Sequence, residues 1–379
     1  MNKLTSNDSL SSKLLIVVLS SILLLTTMNC SYNTNAATLE IPQNSLDSIF
    51  KHFQIPNPGL SCMVIKNKKI VLKKNFGFAD VENKTRATSK TNYRIASMSK
   101  QFTATAIMKL VHQGKLTYET TLSEIFKGFP EYGDNITIRH LLTHRSGILG
   151  YDNFVIKGEQ ILDERILEEL MKINSIRFYP NEKFMYSNSG YAVLAQVVEK
   201  ISEQPFAEYM KNEIFGPSNM LETNLYEANK KITNRAFGYT IENDSIKKTD
   251  HNETSAVKGD GSIYTSLLDL YNWDQVLYTD MLMPNEFLNE AYYNYDTDGR
   301  SNEKGYGYGW MVNYSDSIKI LEHTGASIGF THHIIRVPSL ELSVIVLTNR
   351  NHNYYSNLNF NNIGYSLINS FSENKLNLQ

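Results

Sequence analysis

Ser97 and Lys100 lie three residues apart, immediately before an apolar run at residues 101–113 that has helical spacing. Residues three apart share one face of a helix, so the lysine amine would reach the serine hydroxyl. Serine needs such a neighbouring base to become a nucleophile. Free backbone N–H groups at a helix N-terminus would also stabilise an oxyanion. These two residues therefore predict a serine that accepts an acyl group.

The Ser-x-x-Lys spacing is not specific by itself, because it occurs six times in the sequence. The other five copies begin at Ser48, Ser245, Ser255, Ser301 and Ser372. Only Ser97 precedes a run that is apolar nearly all round, which indicates a buried helix. Gly114 follows this run as its expected C-terminal cap. The context thus favours Ser97 over the other copies.

Two distant segments carry further polar residues of interest. Tyr186-Ser187-Asn188 forms a polar loop between Pro180 and an apolar helix predicted at residues 191–201. Loops held by a rigid scaffold are where catalytic groups are found. The same tripeptide recurs at residues 355–357, in an asparagine-rich stretch that is typical of a plain loop. The second segment, His323-Thr324-Gly325-Ala326, interrupts the predicted strands near the C-terminus.

Other kinds of chemistry find little support in the sequence. The net charge of -2 gives no electrostatic reason to expect nucleic acid or an anionic membrane as partner. There is no Cys-x-x-Cys, His-Glu-x-x-His or P-loop motif, and residues 305–310 lack the strand-loop-helix setting of a dinucleotide site. His140 and His144 lack a third ligand of suitable spacing, so we interpret them as packing and hydrogen-bonding residues. No metal or cofactor is therefore expected.

Residues 1–37 are predicted to be a signal peptide and a short linker. Lys3 and Lys13 precede an apolar run at residues 14–28, which is shorter than the roughly 20 residues that span a bilayer. Cleavage before Ala37 and lipidation of Cys30 are both compatible with this segment. Either route predicts an exported protein in the periplasm or cell envelope, with membrane contact only through a lipid on Cys30. Cys62 would then be the one unmodified thiol, which leaves no internal disulfide.

The apolar pattern predicts strands near both ends of the chain and helices in its middle. With 379 residues, of which 41% are apolar, the chain can bury a large core. The predicted strands are residues 60–66, 70–78, 309–313, 318–322, 329–337 and 342–347. The predicted helices besides 101–113 are residues 45–53, 159–172, 191–201, 267–277 and 359–371. Residues 218–258 are polar and are expected to be irregular.

Taken together, these segments resemble the serine beta-lactamase and DD-peptidase superfamily, in particular its class C beta-lactamase-like branch. The resemblance covers residues 58–347, and its pieces occur in the family's order. The pieces are residues 94–100 with the following helix, 141–147 (LLTHRSG), 186–188 (YSN), 214–217 (IFGP), 305–310 and 323–325 (HTG).

The resemblance implies an α+β fold in which an antiparallel sheet, made from both chain ends, is flanked by helices and carries an inserted all-α domain. The implied domain covers residues 38–371 and is followed by a tail at 372–379. Its α/β part would comprise about 38–100 and 259–371, and its helical part about 101–258. Ser97 would lie at the seam between the two parts.

The resemblance also implies a role for each site residue. Ser97 would attack a carbonyl carbon and form an ester, with Lys100, Tyr186 or the coupled pair as the base. Asn188 would hold Lys100 and bond the substrate amide.

The remaining implied residues would shape the substrate site. The backbone N–H groups of Ser97 and Ala326 would form the oxyanion hole. Gly325 would admit the substrate backbone to the strand edge, Thr324 would shape that edge, and Tyr151 would line the cleft.

His323 departs from the pattern of this branch, whose beta-lactamases carry lysine there. Histidine carries only a partial charge at neutral pH, so it suits a substrate carboxylate less well. The expected activity is hydrolysis of a D-Ala-type peptide or amide, or of an ester, with a small molecule or peptide as the only partner. A beta-lactamase proper and a catalytically silent penicillin-binding sensor are the alternatives.

Overall fold

A seven-stranded antiparallel sheet brings together segments from near both ends of the described chain. The computed structural model describes residues 50–228, 230–243, 245–296, 304–351, 360–372 and 376, all within the second of two units, residues 39–379. The strands are β1 Leu60–Lys66, β2 Lys69–Phe76, β3 Phe78–Asp80, β4 Thr85–Arg86, β5 Tyr93–Arg94, β6 Asn224–Leu225, β7 Tyr239–Glu242, β8 Ser245–Lys248, β9 Ile263–Thr265, β10 Gly305–Tyr306, β11 Met311–Ser315, β12 Ile318–Ser327, β13 Phe330–Val337 and β14 Leu342–Thr348. The main sheet has the order β10-β11-β12-β13-β14-β1-β2.

Most of the helices lie between the two groups of sheet strands in sequence. They are α1 Lys100–His112, α2 Leu122–Ile125, α3 Ile138–Leu142, α4 Asp163–Lys172, α5 Asn188–Ser202, α6 Phe206–Tyr209, α7 Leu267–Val276, α8 Asn285–Leu288 and α9 Phe360–Phe371. Short 3-10 turns occupy Lys51–Phe53, Ala96–Ser99, Glu131–Asn135, Tyr151–Phe154, Asn289–Tyr292 and Pro338–Leu340, and Met210–Phe215 forms a π-helical turn. The described helices include none that is both long and apolar enough to span a bilayer.

The sheet separates two apolar cores because successive side chains of a strand point to opposite faces. On β1, Cys62 and Val64 belong to the core that also contains Ile363 and Leu367 of α9. Met63 and Ile65 belong to the larger core, which also contains residues of α1, α5 and α7. Strands β13 and β14 are buried along their whole length. The sequence of β14 is accordingly nearly continuously apolar, whereas β13 also buries Thr331, His332, His333 and Arg336.

The fold predicted from the sequence is confirmed, including both hairpins and the buried α1 helix. Asn67 and Lys68 turn the first hairpin with positive φ angles of 50° and 61°. Helix α1 ends at His112, and Gly114 adopts a φ of +70° in the left-handed region. The division into α/β and helical parts stays a prediction. The signal segment, Cys30 and residues 355–357 lie outside the described residues.

Two predictions about individual elements were wrong. The segment 323–326 does not interrupt a strand, because β12 continues to Ser327 and pairs with β13 throughout this segment. The strand continues because it pairs with β13, and the local sequence carries no signal for pairing with a separate strand. The irregular region at residues 218–258 contains the paired strands β7 and β8 and the short strand β6. In addition, α4 begins at Asp163, four residues later than predicted.

Candidate active site

Ser97 lies in the Ala96–Ser99 turn, between β5 and α1. The turn is anchored by the Ile95 N–H, which donates to the Ile263 carbonyl at 2.8 Å. Ala96 has a φ of +49°, a left-handed conformation that is uncommon for a residue with a side chain. Ser97 is half-buried, whereas its neighbours Ala96 and Met98 are buried. The turn thus presents Ser97 as the accessible residue at the start of the helix.

Lys100 is fully buried, and its amine makes hydrogen bonds to three different segments. The Nζ atom lies 3.3 Å from Ser97 Oγ, 2.8 Å from Asn188 Oδ1 and 3.1 Å from the Asp260 carbonyl oxygen. Its relative exposure is 0%. A buried amine needs partners for its N–H bonds. The Asn188 and Asp260 oxygens can only accept such bonds, whereas the Ser97 hydroxyl can also donate to the amine. The amine is therefore held beside the serine hydroxyl by two remote parts of the chain.

The segment Tyr186-Ser187-Asn188 leads directly into helix α5, which begins at Asn188. The Ser187 hydroxyl caps this helix by accepting the Gly190 N–H at 3.2 Å. The cap fixes Asn188 at the first helical position, where its amide oxygen meets Lys100.

Tyr186 is 38% exposed, and Lys100 Nζ lies 4.9 Å from the centroid of its ring. Among the described residues no hydrogen bond joins the Tyr186 hydroxyl to Ser97. Catalytic hydrogen bonds often tighten only when substrate binds. The choice between Lys100 and Tyr186 as base therefore stays open.

The second half of β12 forms an edge beside the serine turn. Strand β11 pairs with β12 only as far as Glu322, whereas β13 pairs with it to Ser327. This half of the strand packs against the Ala96–Ser99 turn. A β-carbon on Gly325 would lie 2.2 Å from the Ile95 carbonyl oxygen, so glycine allows this close approach. Ala326 is exposed next to it, as a backbone donor for an oxyanion would need to be.

His323 is buried, and both of its ring nitrogens are engaged within the protein. Nδ1 lies 2.7 Å from the Thr324 carbonyl oxygen, so it carries the proton and donates. Nε2 lies 2.9 Å from the Tyr306 hydroxyl and accepts its hydrogen bond. Burial, and secondly the charge of Lys100, lowers the pKa of His323 to about 3. His323 is therefore neutral in this structure, and its ring is tied to Tyr306.

Tyr151 is buried and contacts Asp260, the residue whose carbonyl oxygen bonds Lys100. Its hydroxyl donates to Asp260 Oδ2 at 2.7 Å. Burial raises the pKa of the Asp260 carboxyl group. The hydroxyl of Tyr151 thus supports the residue whose carbonyl oxygen holds Lys100. Its role in lining a substrate cleft stays a prediction.

Residues 46–362 match a family model described as Beta-lactamase. The chain belongs to the beta-lactamase family. This membership confirms the resemblance to the serine beta-lactamase and DD-peptidase superfamily.

The relatives of this beta-lactamase-family chain include penicillin-binding proteins. Penicillin-binding protein 4* of Bacillus subtilis (strain 168) is 31% identical over 297 residues, which cover 73% of this chain and 64% of the relative. The chain thus spans less than two thirds of that relative's length. The octameric penicillin-binding protein homologue from Pyrococcus abyssi has a TM-score of 0.72 and 26% identity, and the match covers 86% of this chain and 75% of that one.

A third similar protein is the D-amino acid amidase from Ochrobactrum anthropi SV3, solved with L-phenylalanine amide. Its TM-score is 0.68 at 20% identity, and the match covers 83% of this chain and 93% of that one. At this identity the likeness shows the fold alone.

The structure of this beta-lactamase-family chain joins most of the predicted site residues. Ser97, Lys100 and Asn188 form one hydrogen-bonded group, and the Tyr186 ring lies beside the lysine. Rings of Tyr186 and His323 have centroids 6.3 Å apart. Their catalytic and binding roles stay predictions. The Ser-x-x-Lys copy at Ser245, by contrast, begins strand β8.

Sequence reasoning missed three residues of the site. Asp260 holds Lys100 through a backbone carbonyl, and Tyr306 bonds His323. His144, which we interpreted as a packing and hydrogen-bonding residue without a role in the site, has its ring centroid 4.3 Å from that of Tyr186. The one signal for Asp260 was its setting between two glycines. His140, the partner considered with His144, instead accepts the Thr137 N–H at the start of α3.

Proposed function

We propose that this chain hydrolyses a D-Ala-type amide or an ester through an acyl-enzyme on Ser97. The observation that carries the proposal is the position of Lys100 Nζ, 3.3 Å from Ser97 Oγ and fixed by Asn188 and Asp260. A serine needs a base within hydrogen-bond reach to attack a carbonyl carbon. The Bacillus subtilis relative is named a penicillin-binding protein, which supports a serine that can be acylated.

The reaction would proceed in two steps. In the first, the Ser97 hydroxyl gives its proton to the Lys100–Tyr186 pair while Oγ bonds to the carbonyl carbon. The bond to the leaving amine or alcohol breaks, and that group takes the proton from the pair, which is then free to act again as a base. The N–H groups of Ser97 and Ala326 would stabilise the oxyanion. In the second step, a water molecule gives a proton to the same pair while its oxygen bonds to the ester carbon. The bond to Ser97 Oγ then breaks, Oγ takes the proton back, and the acyl group leaves as a carboxylic acid.

The state of His323 supports a substrate that lacks a carboxylate at that position. Binding a carboxylate well requires a cation or free hydrogen-bond donors. The His323 ring is neutral, is 1% exposed, and donates its only ring N–H to the Thr324 carbonyl. We therefore favour a D-amino amide or an ester over a peptide that ends in D-Ala, and over a beta-lactam.

A substrate panel tests this proposal. It comprises an ester, a D-amino amide, a D-Ala-D-Ala peptide and a cephalosporin, assayed on wild type, Ser97→Ala and Ser245→Ala. Ser245 is an exposed serine with the same Ser-x-x-Lys spacing, so it is a matched control. We expect turnover of the ester or amide that Ser97→Ala abolishes and Ser245→Ala retains. Turnover that survives in Ser97→Ala would reject Ser97 as the nucleophile.

The same panel separates the two alternatives. Efficient cephalosporin hydrolysis would indicate a beta-lactamase proper. A penicilloyl adduct on Ser97 that persists in mass spectra, without turnover of any substrate, would indicate a sensor.

We further propose that the protein is exported to the periplasm or cell envelope. The charged and apolar pattern of residues 1–37 supports export. A lipid on Cys30 would then be the only membrane attachment, and a small molecule or peptide the only partner. Fractionation of cells that express wild type and Cys30→Ala tests both points. A soluble wild type would exclude the lipid anchor, and a cytoplasmic one would exclude export.

A further inference from the structure

His144 contacts the segment that carries Tyr186 in three ways. Its backbone carbonyl accepts the Met185 N–H at 2.9 Å, and its Nδ1 accepts the Ser187 N–H at 3.0 Å. Its ring packs against the Tyr186 ring with the centroids 4.3 Å apart. The residues before and after Tyr186 are thus both bonded to one residue, which also packs against Tyr186 itself.

The hydrogen bond from Ser187 determines the form of the His144 ring. A backbone amide can only donate, so Nδ1 must be unprotonated and the ring proton must be on Nε2. A second proton would have to bind Nδ1 and would break the bond to Ser187. Burial, and secondly the charge of Lys100, lowers the pKa of His144 well below its ordinary value. The ring therefore remains a neutral acceptor.

The backbone of His144 identifies the substitution that changes least. His144 has a φ of +59°, in the left-handed region. Asparagine is enriched there among residues other than glycine, and its side-chain oxygen can accept a hydrogen bond near the position of a histidine Nδ1. Phenylalanine, in contrast, would keep an aromatic ring against Tyr186 but lacks the acceptor.

We propose that His144 is a positioning residue that holds Tyr186 beside Lys100 by fixing the backbone on both sides of it. This role rests on the proposed function, in which Tyr186 belongs to the pair that takes the serine proton. In this role His144 acts through Tyr186, so its loss affects the rate of acylation more than the binding of substrate.

Three variants separate the contributions of His144. His144→Asn keeps an acceptor, His144→Phe keeps a ring, and His144→Ala removes both. His140→Ala is the matched control, because His140 belongs to the same segment and accepts the Thr137 N–H at 3.2 Å.

The first measurement is the rate at which a fluorophosphonate labels Ser97, together with kcat and KM for a p-nitrophenyl ester. A displacement of about 1 Å in an active site can lower a rate roughly 10²-fold. We expect His144→Ala and His144→Phe to lower kcat and labelling by about that factor, with KM nearly unchanged. His144→Asn should recover most of the loss, and His140→Ala should retain the wild-type rate per folded molecule.

The second measurement is amide hydrogen exchange of the peptides that contain Met185 and Ser187, which does not depend on catalysis. Exchange should be faster in His144→Ala and His144→Phe, and close to wild type in His144→Asn. Wild type that is not labelled at Ser97 would reject the proposed function, and exchange would still decide the role of His144. Unchanged exchange in His144→Ala, or full activity of His144→Phe, would reject that role.

Discussion

Gly325 is the position at which one added methyl group should most directly separate the strand edge from the serine turn. In Gly325→Ala, the new β-carbon would lie 2.2 Å from the Ile95 carbonyl oxygen and 3.2 Å from His332 Cδ2. The first distance is far below van der Waals contact, and the atom it meets belongs to backbone. Ile95 precedes Ala96 and Ser97 directly, so any relaxation must move either β12 or the turn that carries the nucleophile.

The size of the effect follows from that overlap. The turn does not yield easily, because Ile95 is buried and its N–H donates to the Ile263 carbonyl at 2.8 Å. Relief to ordinary contact needs a shift of about 1 Å, which in an active site can cost roughly 10²-fold in rate. Overpacking should also lower the free energy of unfolding by about 1–3 kcal/mol.

Gly261→Ala is a matched control, because its added β-carbon would approach the same turn without overlap. Its nearest atoms would be the carbonyl carbon and Cα of Ala96, both 3.6 Å away, which is ordinary contact. We expect the rate of Ser97 labelling by a fluorophosphonate to fall in Gly325→Ala and to stay near wild type in Gly261→Ala. Urea unfolding of the same samples separates the change in rate from the change in stability.

Two results would refute this reasoning. In the first, Ser97 of Gly325→Ala is labelled at the wild-type rate and the variant unfolds at the wild-type urea concentration. That result would mean that the strand edge does not constrain the turn. In the other, Gly261→Ala loses as much activity as Gly325→Ala, so any added methyl group near the turn is equally harmful.

Further predictions concern the lysine and two buried polar groups. Lys100→Met keeps a buried side chain of similar length but removes the amine, so labelling of Ser97 should slow by about 10²–10⁴-fold, and an unchanged rate would exclude Lys100 from proton transfer. Burial lowers the pKa of His332 to about 3, below its unfolded value of 6.5, so its contribution to stability is present above pH 6.5 and is lost as pH falls. Between pH 6.5 and about 3, the free energy of unfolding should fall by about 1.4 kcal/mol per pH unit on account of His332. His332→Gln should lack this part of the pH dependence. Urea unfolding that depends equally on pH in wild type and His332→Gln would contradict the prediction. Asp274→Ala leaves the Arg336 guanidinium buried without the carboxylate 2.8 Å from its Nε, which should lower the free energy of unfolding by about 3–5 kcal/mol. A loss below about 1 kcal/mol would show that this pair is replaced by other contacts.

The elements that follow from local pattern could be read from the sequence with small errors. The apolar run at residues 101–113 is the helix Lys100–His112, and both hairpins lie within two residues of the predicted positions. Helical period, strand alternation and turn residues are properties of neighbouring positions, so the sequence contains them. The same holds for the relation of Ser97 to Lys100, whose spacing of one helical turn places amine and hydroxyl 3.3 Å apart.

The rest of the site depends on contacts between residues far apart in the chain. Sequence pattern suggested that β12 breaks at His323, and only pairing with β13 shows that it continues. The Asp260 carbonyl that holds Lys100 comes from 160 residues away, and a backbone oxygen leaves no signal in residue type.

The sequence by itself determined that a serine and a lysine would stand together at the start of a buried helix. Tertiary structure alone decided how they are held, and which charge the surrounding residues carry. Histidine at position 323 could have been a cation, but it is buried between the Thr324 carbonyl and the Tyr306 hydroxyl. Burial disfavours its charged form, and the degree of burial exists only once distant segments pack together.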